Sequence, residues 1–206
     1  MRFLLLILSA GLAQFILAQD APANGVHQHI HYSPLAFSNK FSLHVPPVLR
    51  LRSGDTVSTE TIDALGFDKQ GVKRQKGGNP LTGPFYIENA LPGDVLAIAL
   101  IRVSLNRSYA YTTEAFGSRS LPKTYLSRSK KAKLVRWKLD IRNVFASPDT
   151  NYEHLSRFKV PLAPFLGCIG LAPTAKKEEI LSFFSGPIGG NLDYSRVTQG
   201  ATVYLP

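Results

Sequence analysis

The chain has 206 residues, enough for one domain with a substantial core. Its 44% hydrophobic and 18% charged residues exclude a disordered chain, and 14 prolines with 16 glycines argue against a mainly helical one. The formal charge of +10 is uneven, because Arg102 to Arg142 contains eleven Lys or Arg against only Glu114 and Asp140.

The first eighteen residues place Arg2 before an apolar stretch, Phe3 to Leu8 and Phe15 to Ala18, followed by polar Gln19-Asp20. This is the pattern of a secretory signal peptide with cleavage near Ala18, rather than of a membrane anchor, since Ser9, Gly11 and Gln14 interrupt it. The expectation is a secreted domain over residues 19–206 with no membrane span after cleavage. Cys168 is the only cysteine, so no disulfide can form within the chain.

Val48 to Arg52 and Thr56 to Ile62 flank the turn signal Ser53-Gly54-Asp55, and their alternation predicts a hairpin. Pro84 to Glu88 is a short predicted strand. Val95 to Ile101 is an apolar run suited to a strand buried on both faces, with a short buried helix as the competing reading. In Trp137 to Arg142, alternation turns Trp137, Leu139 and Ile141 toward the core. Residues 175–184 carry one patch of helical pattern, and Ala201 to Leu205 reads as a last strand. The fold class expected is mainly β, in a single domain. The basic segment, about residues 106–149 and centred on Arg128 to Lys133, reads as a solvated insertion loop or as a surface for polyanions. Tyr125 and Trp137 interleave aromatics only thinly, so no specific nucleic acid is expected.

Four stretches in order resemble the acetamidase/formamidase family. Pro46 to Val57 runs on to Ala64, Gly78-Asn79-Pro80-Leu81-Thr82-Gly83-Pro84 leads to Glu88, and Pro161 to Gly170 comes third. Gly186-Pro187-Ile188-Gly189-Gly190-Asn191-Leu192-Asp193, followed by Gly200 and Val203 to Pro206, is the fourth. The resemblance implies a β-rich domain that hydrolyses carbon–nitrogen bonds in small linear amides, formamide or acetamide, with a divalent metal, zinc being expected. The segment from Asn106 to Asp149 departs from the family. Family members also continue beyond the strand matching Thr202–Leu205 to a segment bearing a histidine and carboxylates. The alternatives are therefore a fragment of an enzyme, or a shortened, non-catalytic member acting as a secreted binding or structural β-domain, with a polyanion-binding module on the basic segment as a further rival. A homo-oligomer is a further expectation.

Candidate site residues follow from chemistry and resemblance together. Asp193, after Gly189-Gly190-Asn191, can project into a cleft as a metal ligand, or can cap a turn instead. His27, His29 and His31 share one face of a strand, and the resemblance selects His29 as a ligand. Glu88 beside Phe85 and Ile87 is the candidate general acid or base. Asn79, Thr82 and Asn191 are candidates for holding the amide. Cys168, in apolar surroundings, is rejected as a nucleophile.

Overall fold

The computed structural model describes residues 26–113, 122, 124, 133–149, 153–155, 157–174 and 178–206. Its described elements are β-strands apart from one 3₁₀ turn at Glu153–Leu155. The mainly β expectation therefore holds. The signal-peptide stretch, Tyr125 and Arg128 to Ala132 lie outside the described residues.

The predicted hairpin does not form. Its turn is present, with Asp55 N donating to Arg52 O at 3.0 Å. The two arms, Leu49–Leu51 and Thr56–Thr59, then go to different partners. Leu49–Leu51 pairs in parallel with Phe85–Ile87, and Thr56–Thr59 pairs in parallel with His29–Tyr32. The Asp55 carboxylate explains the divergence. Its Oδ2 accepts from Arg52 N at 2.8 Å and its Oδ1 from Gln28 N at 2.9 Å, so it joins the turn to the head of a third strand. His27 packs beside this turn, its ring within 2.3 Å of where a Cβ on Gly54 would stand.

Further along, Leu96–Ala99 pairs antiparallel with Thr202–Leu205. This strand was expected to be buried on both faces, and the structure corrects that. Leu96 and Ile98 face Leu205 and Val203 and are half-buried, whereas Ala97 and Ala99 are exposed. Val95 at 63% and Ile101 at 66% exposure extend the same open face. Apolar composition marked the strand but not which side would be covered.

The basic segment is not a loop throughout. Tyr109–Thr113, Leu134–Asp140, Phe145–Pro148 and Val160–Pro161 form a four-stranded antiparallel sheet, in that order. Trp137 and Leu139 face inward as alternation predicts, and Trp137 Nε1 donates to Thr112 Oγ1 at 2.9 Å. Ile141 does not. The strand ends at Asp140, whose Oδ1 accepts from Asn143 N at 2.9 Å, so Ile141 sits in the turn, 51% exposed. The helical reading of residues 175–184 is also overturned where it is described, because Ile180–Leu181 is a strand paired with Lys40–Phe41. Lys40, within this pairing, forms an ion pair with Glu179, just before Ile180.

The core is small among the described residues. Phe41, Leu51, Ala146, Val197 and Leu205 are its buried apolar side chains, while large side chains such as Phe183, Phe184 and Tyr194 are more than half exposed. No described helix is long and apolar enough to cross a membrane.

Candidate functional site

Cys168–Gly170, Ser185–Gly186 and Gly189–Asn191 make a three-stranded sheet that positions the central cluster. Gly190 stands at φ 106°, and a Cβ there would meet Phe184 O at 2.3 Å, so only glycine lets these strands close. The closure sets Asn191 opposite Cys168. Leu192 N and Asp193 N both donate to Gly167 O, at 2.9 and 3.0 Å. Asp193 adopts φ 44°, a conformation Asp tolerates better than most residues, and its Oδ1 lies where a Cβ on Gly167 would approach to 2.8 Å. Its carboxylate makes no ion pair with another described residue.

Ser182 links this sheet to Asn79. It is fully buried, and its hydroxyl lies 2.6 Å from Asn79 O and 3.0 Å from Gly78 O. Its own carbonyl faces the Cys168 thiol at 3.5 Å, and its N–H donates to Asn39 O at 3.0 Å. Asn39 Nδ2 donates to Gly78 O at 2.6 Å, and Gln75 Nε2 donates to Asn39 Oδ1 at 3.1 Å. Asn79, at φ 53°, thus rests on a buried polar frame. Ser182 thus connects the backbone of Asn79 to Cys168, which lies opposite Asn191 in the sheet. Ser182, Asn39 and Gln75 were not singled out in the sequence, since their partners lie far along the chain and no local pattern marks them.

The other candidates are tied elsewhere. Thr82 Oγ1 donates to Glu60 O at 3.2 Å. His29 is exposed, with Nε2 2.7 Å from Ser58 Oγ and its ring 4.5 Å from that of His31, the shared face that alternation predicts. The apolar setting expected of Glu88 is not what surrounds its carboxylate. Arg50 Nε and Arg52 Nε approach it at 3.5 and 3.3 Å, because residues 50, 52 and 88 emerge from neighbouring parallel strands on one side. Cys168 is a poor nucleophile. Burial first, and the Asp193 charge second, push its thiol up to about 11.

The sequence model of the Acetamidase/Formamidase family matches residues 25–181. The chain belongs to that family. Its fold is similar to the crystal structure of an acetamidase from Bacillus halodurans, at 28% identity and TM-score 0.65, covering 86% of this chain and 57% of that one. A recombinant predicted acetamidase/formamidase from Thermoanaerobacter tengcongensis is similar at 27% identity and TM-score 0.61, over 87% of this chain and 56% of the other. An acetamidase from Yersinia enterocolitica shares the fold at 23% identity and TM-score 0.66, with coverages of 89% and 58%. This acetamidase/formamidase-family chain therefore spans about 57% of the length of the first of these structures. No curated protein matches it.

The metal that the family resemblance implies finds no complete ligand set among the described residues. Among the described residues, no three His, Cys, Asp or Glu side chains converge on a point that would hold an ion. Catalytic and structural zinc sites alike need at least three protein ligands.

Proposed function

We propose that the protein hydrolyses small linear amides such as formamide and acetamide to a carboxylate and ammonia. The observation that carries this reading is the family match across residues 25–181. The cluster of Asn79, Asn191 and Asp193 is its substrate-facing part. Hydrolysis adds water to the amide carbonyl, breaks the C–N bond of the tetrahedral intermediate, and delivers a proton to the leaving nitrogen. Side-chain amides of Asn79 and Asn191 supply N–H donors for an oxyanion and acceptors for the substrate NH₂. Asp193, exposed and without an ion pair among the described residues, accepts hydrogen bonds from a water or from that NH₂. Glu88 and Thr82, committed to Arg50, Arg52 and Glu60, orient their neighbours under this reading. No step is routed through a metal, because the described residues do not assemble its ligands. The place of action is extracytoplasmic, on the strength of the leader pattern at residues 1–18.

A second reading is a non-catalytic secreted β-domain built on the same scaffold, since no three-ligand cluster stands among the described residues. Ammonia release from formamide and acetamide by the protein as it occurs separates the two. The amidase reading expects ammonia and carboxylate in equal amounts, with kcat/KM falling about 100-fold in Asn191→Ala. No release from either amide leaves the non-catalytic domain standing.

A further inference from the structure

We infer that the groove at the turn end of the four-stranded sheet binds an acidic polysaccharide. The groove is shallow, about 500 Å³, and lies between Lys138, Asp140, Arg142, Phe145 and Ser147. Lys159 closes one side, its Nζ 4.1 Å above the Phe145 ring. Arg136, two residues before Lys138 on the same exposed side of the strand, continues the line of cations.

The charges do not cancel. Arg136 and Lys138 share a single carboxylate, Asp149, at 3.2 and 3.0 Å. Asp140 spends its oxygens on Asn143, accepting from N at 2.9 Å and from Nδ2 at 2.8 Å. Arg142 makes no ion pair among the described residues. Four cations thus face two carboxylates, which leaves the groove with an excess of positive charge.

The shape selects a polymer. An open groove gives a lone anion few contacts, and each exposed ion pair is worth only about 1 kcal/mol or less. A chain that engages several cations at once gathers these small terms without paying separate association entropy for each. Alternate residues on a strand stand about 6.6 Å apart, so Arg136 and Lys138 can meet successive charges of such a chain. The aromatic rings favour a sugar chain over a nucleic acid. Base stacking needs open ring faces, yet Lys159 lies over Phe145, and Arg107 and Arg136 lie over Tyr109 at 4.6 and 4.9 Å. These rings hold cations in place. The hydroxyls of Ser108 and Ser147 at the rim suit the remaining sugar oxygens.

Titration of the full chain with heparin oligosaccharide tests this, at about 50 and 200 mM salt. Binding should weaken tenfold or more over that range, as counterion release requires. Lys138→Gln/Arg142→Gln/Lys159→Gln should lose at least tenfold, while Lys130→Gln/Lys131→Gln/Lys133→Gln should lose less than threefold. If the triple groove variant fails to fold, Arg142→Gln alone should lose about threefold. The charge-preserving Lys138→Arg/Lys159→Arg should bind as the parent does. Three results overturn the proposal: no heparin binding, loss confined to the 130–133 variant, or equal affinity for a single-stranded oligonucleotide of matched length.

Discussion

The Asp193 carboxylate rests against the bare α-carbon of Gly167, where a Cβ would lie 2.8 Å from Oδ1. Gly167→Ala should therefore displace Asp193 while leaving the sheet paired, since the clash is with a side chain and not with backbone. Thermal stability should fall by no more than about 1 kcal/mol, within the usual range for a site away from the core. If the cluster holds the amide, kcat/KM should fall tenfold or more in the same variant. Unchanged turnover with unchanged stability would remove Asp193 from the site.

Cys168 offers a reporter of the same neighbourhood. With the thiol pushed up to about 11, by burial first and then by the Asp193 charge, alkylation should be slow at neutral pH and rise only in strong alkali. Asp193→Asn removes the smaller cause. The inflection of the alkylation–pH profile should move down but stay above the ordinary value of 9.0, because burial remains. An inflection that does not move would mean that Asp193 and Cys168 are not neighbours.

The carboxyl of Asp55 is held below its ordinary value of 3.8, by the Gln28 N–H first and the Arg52 N–H next. A depressed folded-state pKa stabilises above the unfolded value, and that stabilisation is lost as pH falls through the folded one. Asp55→Asn should consequently melt below the parent at pH 7. The gap should narrow as pH falls below 3.8 and through the lower folded-state value, read from paired melting curves. A gap independent of pH would show that the turn is held by shape alone.

Much of the strand pattern was legible in the sequence and little of the pairing was. Alternation over Trp137 to Arg142 marked the later part of the strand Leu134–Asp140, and a Pro-Gly turn marked the entry to Leu96–Ala99, because both signals are local. The supposed hairpin around Gly54 failed because Asp55 bonds to Gln28, twenty-seven residues away, a contact no window of sequence contains. The same holds for the site. Asn191 and Asp193 could be named from a glycine-rich segment and a family likeness. The frame beneath Asn79 could not, since Ser182 reaches it across 103 positions.

Val144 adopts φ 59° in the turn before Phe145–Pro148, a region costly for a β-branched residue. Its side chain is 55% exposed, so little packing is lost by replacing it. Val144→Asn should raise stability by about 0.5–1 kcal/mol, as Asn tolerates this conformation. A melting temperature a few degrees higher is the expected reading; a fall would mean that the valine packs against something outside the described residues.

The outward face of Val95, Ala97, Ala99, Ile101 and Tyr204 is apolar, and Tyr204 is 69% exposed. Such a face draws chains together. The 206-residue chain should elute from size-exclusion columns as more than a monomer at micromolar concentration, and Val95→Lys/Tyr204→Lys should shift it toward one. A clean parental monomer would count against this.

The pairing of Leu96–Ala99 with Thr202–Leu205 also sets a clock on biosynthesis. A strand made mid-chain waits for a partner about a hundred residues later. At roughly 5–20 residues per second, translation leaves it waiting for about five to twenty seconds. Throughout that interval Leu96 and Ile98 lack the cover that Leu205 and Val203 later give them. The nascent protein is therefore most in need of a chaperone before Thr202–Leu205 is synthesised.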